Sequence, residues 1–259
     1  MKNVRALARS LWFGWIVASG IVAACVSFLI GGNRDRRAGW MQWMSRRLLR
    51  MLGCTVLVTG RIPGRGLVAS NHLGYVDILV IGSVCPCVFV AKSDVHAWPV
   101  FGLLARMAGT VFVRRKAPAD AARQVDALGT VLRGGHPVVL FPEGTSSGGE
   151  SVLPFRSSLF QAAIAEDVKM IPAAIHYRVD PPFSVERDIA LWGDMKLPFH
   201  LWNLLGIRSF EAVLAFGDPL APGRDRKMAC HRLQEAVEKI HTGIRPSVQN
   251  QKKIDRGAR

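Results

Sequence analysis

From Gly53 onward, short runs rich in Val, Ile and Phe alternate with longer segments of helical pattern. That alternation leaves few ways to fold. Strands are expected at 54–59, 66–70, 86–91, 111–114, 137–141, 170–176, 187–192 and 211–216, and helices at 76–83, 96–107, 118–133, 153–166 and 223–241. The helix at 118–133 begins at Pro118 and is stopped by Gly134-Gly135, the usual punctuation of a helix. Strands spaced by helices fold as an α/β domain, a central sheet flanked by helices. Reactive side chains in such sheets lie just beyond the C-terminal ends of the strands. The 259 residues suffice for one large domain or two small ones, and no linker separates two.

Before this domain, Leu11 to Gly32 carries no charged residue. As a helix it would measure about 33 Å, the hydrocarbon thickness of a bilayer. Gly14, Ser19, Gly20 and Ser27 interrupt it, but small residues are tolerated in membrane helices. The stretch runs directly into Asn33-Arg34-Asp35-Arg36-Arg37 rather than ending at a small-residue cleavage site, so it reads as a retained membrane element and not a signal peptide. Its length is compatible with spanning the bilayer or with entering and leaving one leaflet. Six arginines follow it and only Lys2, Arg5 and Arg9 precede it; this bias places the main domain on the cytoplasmic side. Within 40–51, Trp40, Trp43, Met44, Leu48 and Leu49 are interleaved with Arg46, Arg47 and Arg50, the pattern of an amphipathic helix on anionic lipid, with an ordinary basic helix docked on the domain as the alternative. The expected organisation is a membrane and basic segment over 1–50, a main α/β domain over 51–242 and a polar basic tail over 243–259.

The net charge of +15 also raises the question of nucleic acid. No zinc-finger spacing, RNP-like motif or helix-turn-helix signal accompanies it, so none is expected as a partner. An anionic membrane surface, an acidic carrier protein or the phosphates of coenzyme A fit the same charge. The five cysteines, one inside the apolar stretch, do not form a disulfide framework, and Cys85-Pro86-Cys87 is too short and isolated for a zinc site.

The chemistry concentrates in Asn71-His72-Leu73-Gly74-Tyr75-Val76-Asp77. On one continuous helix Asp77 would be rotated about 140° away from His72. With His72 in the turn after a strand, and the helix starting there, Asp77 can reach back to the imidazole. It would then hold the tautomer while His72 takes a proton from an alcohol. The structural alternative is a His72–Asp77 bond that merely clamps a turn. A second segment, Phe141-Pro142-Glu143-Gly144-Thr145-Ser146-Ser147-Gly148-Gly149, ends a strand in a tight turn able to bind an oxyanion. A third, Gly109-Thr110-Val111-Phe112-Val113-Arg114-Arg115, delivers two arginines at the end of a strand, where one could grip an anionic head group.

Together these segments resemble the motifs of the phospholipid and glycerolipid acyltransferase superfamily, in particular bacterial 1-acylglycerol-3-phosphate acyltransferases. His72 and Asp77 with four residues between them match the first motif, Gly109, Phe112, Val113 and Arg115 the second, Phe141 to Thr145 the third, and Ile171-Pro172-Ala173-Ala174-Ile175 resembles the fourth. The resemblance covers about residues 50–220. It implies transfer of an acyl group from acyl carrier protein or coenzyme A to a lysolipid hydroxyl at the bacterial inner membrane, with the catalytic domain facing the cytoplasm. His72 would be the general base, Asp77 its partner and Arg115 a contact to acceptor phosphate. Glu143, Gly144 and Thr145 would shape the acceptor site, with Asn71 and Pro172 in support. No cofactor or metal is implied. One departure stands out: Ser146 occupies a position where the family usually has a phosphate-binding arginine. Either Arg114, Arg115 or Arg156 compensates, or the acceptor lacks a phosphate. Ser147 to Phe160 resembles relatives that acylate lyso-ornithine lipid. The two expected acceptors are therefore 1-acylglycerol-3-phosphate, taken first, and lyso-ornithine lipid. A non-catalytic lipid-binding protein on the same scaffold is the remaining reading.

Overall fold

The computed structural model describes residues 2–29, 31, 33–113 and 121–245. A seven-stranded sheet organises the chain: β1 (Cys54–Thr59), β2 (Gly66–Ser70), β3 (Val88–Lys92), β4 (Val111–Val113), β5 (Pro137–Leu140), β6 (Met170–Arg178) and β7 (Phe210–Phe216) lie in the order β1-β7-β6-β2-β5-β3-β4. From β6 to β4 neighbouring strands are parallel, β6 and β7 are antiparallel, and β1 runs parallel to β7. β2 is central. Its Val68 faces one apolar core and Leu67 and Ala69 face the other, the period-2 alternation of a strand covered on both sides.

Helices α1 (Lys2–Leu29), α2 (Arg34–Leu52), α3 (Tyr75–Val84) and α7 (Leu197–Gly206) contribute to the first core. On the opposite face lie α5 (Ala121–Leu132), α6 (Phe160–Ala165) and α8 (Arg226–Ile244). The short α4 (Phe101–Met107) leads into β4.

The expected strands at 54–59, 66–70, 86–91, 111–114, 137–141, 170–176 and 211–216 are present within two residues at each described end; Arg114 lies outside the described residues. Residues 187–192 form no strand. Val185–Ile189 make one π-helical turn, because buried Asp188 accepts the Ser184 N–H at 2.9 Å and the Ser184 hydroxyl accepts that of Arg187 at 3.3 Å. Such local side-chain bonding competes with a sheet ladder. The helix expected at 96–107 is split at Trp98-Pro99 into a 3₁₀ turn, Ser93–Ala97, and α4. That at 153–166 is helical only in α6: the Leu153 and Phe155 N–H groups are taken by the Glu143 and Gln234 side chains instead. The sequence reading missed α7. α8 continues to Ile244 where a tail was expected, and 246–259 lie outside the described residues.

The N-terminal region also differs in a way that matters for function. α2 does not lie on lipid by its apolar side. Met44, Leu48, Leu49, Met51 and Leu52 are buried, Arg46 donates to the Ser83 carbonyl at 2.8 Å, and the Arg47 guanidinium sits over Trp43. α2 is thus part of the domain. By length and composition α1 is the one helix among the described residues able to cross a membrane, yet it is tied down along its length. Arg5 donates to the Gly206 carbonyl at 2.9 Å and Arg9 to those of Leu205, Ile207 and Arg208, so two cations cap the C-terminus of α7. Further along, the Gly20 carbonyl accepts the Trp40 indole N–H at 2.8 Å. Just past α1, Arg34 donates to the Thr130 carbonyl and Asp35 pairs with His136. Both flanks of α1 therefore contact one domain. Its other side stays apolar and open, with Leu11, Trp12, Trp15, Val22, Val26 and Phe28 exposed.

After Thr59, the last residue of β1, the chain turns away at Gly60, where φ is +78° and a Cβ would come 2.0 Å from the Phe216 carbonyl oxygen. Gly60→Val is expected to lower unfolding free energy by about 2–4 kcal/mol, read as a shift in denaturant midpoint in mild detergent.

Candidate active site

β2 ends at Ser70, and the next residue extends its pairing with a side chain. The buried Asn71 amide accepts the Ile175 N–H at 2.8 Å and donates to the Ile175 carbonyl at 2.9 Å, as a backbone peptide would. Asn71 is thus a brace between β2 and β6. His72 follows in the turn and α3 begins at Tyr75, so the five-residue spacing from His72 to Asp77 is not one continuous helix.

Asp77 is the third residue of α3, and its carboxylate turns back on the turn that precedes it. One oxygen accepts from His72 Nδ1 at 2.7 Å, the Leu73 N–H at 2.6 Å and the Gly74 N–H at 3.0 Å. The other accepts the Tyr177 hydroxyl at 2.6 Å. A carboxylate with no exposed surface is costly unless its lone pairs are filled; here four donors fill them, and the N-terminus of α3 adds its dipole. Burial and the adjacent Asp77 charge push the Tyr177 phenol well above its ordinary pKa, so it stays protonated and donates. The Asp77 contact leaves His72 Nε2 as the free ring nitrogen. The His72 side chain is 21% exposed, and its ring stacks on Phe141 with centroids 4.1 Å apart.

Tyr177 escaped the sequence reading. The available signal was parity: Ile171, Ala173, Ile175 and Tyr177 share one face of β6, the face turned to the core beneath His72. A hydroxyl at the end of that apolar row needs a buried acceptor.

The third motif lies beside the dyad. β5 ends at Leu140 and the turn Phe141 to Gly144 closes with Gly144 N–H on the Phe141 carbonyl at 3.1 Å. Glu143 is 3% exposed, accepts the Leu153 N–H at 3.2 Å through one oxygen, and has no hydrogen-bond partner for the other among the described residues. Burial pushes its carboxyl up to about 8, the Leu153 N–H opposes this, and the Asp77 charge adds to it. Thr145 is exposed. The Ser146 hydroxyl donates to the Leu191 carbonyl at 2.5 Å, and the Ser147 N–H donates to the His72 carbonyl at 2.9 Å. Leu191 in turn donates its N–H to the Leu73 carbonyl at 2.9 Å, passing so close to Gly74 that a Cβ there would sit 2.9 Å from the Leu191 nitrogen. The loops after β2 and β5 and the segment around Leu191 are thereby one connected rim.

Of the other expected site residues, Arg156 is exposed and its N–H holds the Pro142 carbonyl at 2.9 Å, next to the turn. Pro172 is buried within β6, paired with Ala69 of β2. Arg114 and Arg115 lie outside the described residues, although β4 leads to them. His72, Asp77, Glu143 and Ser146 are brought together.

The Acyltransferase family profile matches residues 55–176. A lyso-ornithine lipid O-acyltransferase from Rhizobium meliloti (strain 1021) is 38% identical over 218 residues, which span 77% of this chain and 75% of that one. A 1-acyl-sn-glycerol-3-phosphate acyltransferase from Neisseria gonorrhoeae is 31% identical over 69% of this chain and 70% of its own length. The crystal structure of the 1-acyl-sn-glycerophosphate (LPA) acyltransferase PlsC from Thermotoga maritima superposes with a TM-score of 0.65 at 23% identity, covering 95% of this chain and all of that one, which establishes the likeness of fold.

Two variants test this geometry. Tyr177→Phe leaves one buried Asp77 oxygen without its donor; a stability loss of about 1–3 kcal/mol and a clear fall in kcat are expected, measured by denaturation and initial rates. Glu143 has a folded pKa near 8 against an ordinary 4.5. The fold therefore favours its protonated form. That contribution is full below the unfolded value and is lost as pH rises through the folded one. Glu143→Gln, neutral throughout, should have a higher Tm than the parent at about pH 9, and the gap should close toward about pH 5.

Proposed function

Because the chain belongs to the acyltransferase family that includes the lyso-ornithine lipid and 1-acyl-sn-glycerol-3-phosphate acyltransferases, we propose that it is a membrane-associated enzyme in which His72 and Asp77 pass an acyl group from a thioester to the free hydroxyl of a lysolipid. The observation that carries the mechanism is the dyad: Asp77 holds His72 Nδ1 at 2.7 Å inside a rim open to solvent at the imidazole.

The acceptor hydroxyl gives its proton to His72 Nε2 as its oxygen attacks the thioester carbonyl. The imidazolium that forms is stabilised by Asp77, which keeps the Nδ1 proton in place. Collapse of the tetrahedral adduct breaks the C–S bond. The departing thiolate takes the proton from His72, leaving an ester and a free thiol. No protein nucleophile is required. Acyl carrier protein or coenzyme A supplies the thioester, and the surplus of basic residues suits either acidic carrier. Glu143, buried and bonded to Leu153, acts by bracing the rim that Thr145 and Ser146 present to the acceptor.

Two acceptors are proposed. 1-Acyl-sn-glycerol-3-phosphate is supported by the Neisseria relative and by the cationic pair that follows β4 in sequence. Lyso-ornithine lipid is supported by the Rhizobium relative and by one feature of the rim: Ser146, where an arginine would face phosphate, spends its proton on the Leu191 carbonyl. α1 is proposed to lie within one leaflet of the bacterial inner membrane, since both its flanks contact the catalytic domain, which then faces the cytoplasm.

Initial rates with labelled acyl carrier protein, over a range of each acceptor in mild detergent, test the choice. A larger kcat/KM for lysophosphatidic acid assigns the enzyme to phosphatidic acid formation, and the reverse assigns it to ornithine lipid. His72→Ala should cost about 10²–10⁴-fold in kcat with either acceptor; intact turnover in that variant would refute the mechanism.

A further inference from the structure

A cavity of about 480 Å³ opens where the end of α1, the start of α2 and the end of α4 meet. Neither His72 nor Asp77 lines it. α4 begins beside Tyr75, with the Phe101 and Tyr75 rings 6.2 Å apart, and runs toward the start of β4. The first turn of α2 pairs Asp35 with His136, immediately before β5 begins. His72 and Glu143 follow the opposite, C-terminal ends of β2 and β5.

The wall of the cavity is apolar, made by Ala24, Phe28, Trp40, Leu103 and Met107. Arg36, Arg37 and Arg106 also line it. Among the described residues no acidic side chain pairs with Arg37 or Arg106, and Asp35, the nearest in sequence to Arg37, is engaged by His136. Apolar walls with guanidinium groups at the edge match a molecule that has a hydrocarbon chain and an anionic phosphate head. The cavity meets the exposed apolar side of α1 at Phe28 and Leu29, which line it and are themselves exposed, so the occupant arrives from the bilayer. We propose that this cavity is a second lipid site, separate from catalysis, that holds one anionic phospholipid: an acyl chain against Phe28, Trp40 and Leu103, and the phosphate on Arg37 and Arg106. The site rests on the proposed contact of α1 with lipid, and it serves to seat the α1–α2 hairpin on anionic membrane.

Native mass spectrometry of the full chain, incubated in neutral detergent with equimolar phosphatidylglycerol and phosphatidylcholine, tests it. One retained phosphatidylglycerol adduct is expected. Its affinity should fall about tenfold or more in Arg37→Gln/Arg106→Gln, which loses the head-group contacts. It should also fall in Ala24→Trp, which fills the cavity and keeps every charge. Arg50→Gln/Arg61→Gln, an equal loss of charge elsewhere, should bind as the parent does. Equal weakening in both arginine pairs, equal retention of the two lipids, or no adduct on the parent chain would overturn the site. Turnover of a short-chain, water-soluble lysolipid reads the dyad separately: it should be unchanged in the cavity variants, and its loss in the parent chain would count against the enzyme reading alone.

Discussion

The Asp77 carboxyl is buried completely, and four donors converge on it. They come from different parts of the chain: two backbone N–H groups in the turn after β2, the His72 ring in the same turn, and the Tyr177 hydroxyl at the far end of β6. Each donor requires the others' positions. The turn must end where α3 begins, β6 must run past the end of β2, and Asn71 must hold the two strands in register through Ile175. Folding stability and the orientation of the histidine are therefore one problem in this molecule. Removing a single donor leaves a buried oxygen unpaired, a cost of about 1–3 kcal/mol.

Around that carboxyl the rim is tied mostly by backbone. Ser147 holds the His72 carbonyl, Ser146 the Leu191 carbonyl, and Leu191 the Leu73 carbonyl. Glu143 is the exception, a carboxyl buried close to Asp77 with one oxygen unpartnered. Two carboxylates sharing a low-dielectric region resist joint ionisation. Burial first, and the Asp77 charge in addition, favour the proton on Glu143. The fold gives up some stability at alkaline pH to keep it there, as is common where a site is built for chemistry.

Much of this was legible in the sequence. The fold class followed from the alternation of short apolar runs and helical segments, and the dyad from a histidine after a strand with an aspartate five residues on. Other parts were not. The apolar stripe of α2 reads equally well against lipid or against protein, because periodicity shows that a face is buried and not what covers it. Residues 187–192 have a strand-like pattern, but Asp188 and Ser184 offered the backbone closer partners. Trp98-Pro99 broke a helix that the apolar spacing carried through.

By itself, the sequence determined the local chemistry: a long uncharged stretch near the N-terminus, a domain of alternating strands and helices, and the residues able to act as base, partner and rim. These are properties of neighbouring residues, encoded in spacing and side-chain type. Tertiary structure decided what lies 100 residues away from Asp77, where Tyr177 completes its donors. It also decided that Arg5, Arg9 and Arg34 bind both flanks of α1 to one domain. A charge count along the chain treats those arginines as solvated, whereas in the fold their partners are backbone carbonyls about 100 and 200 positions downstream. Such partners appear only once the sheet has brought distant segments together.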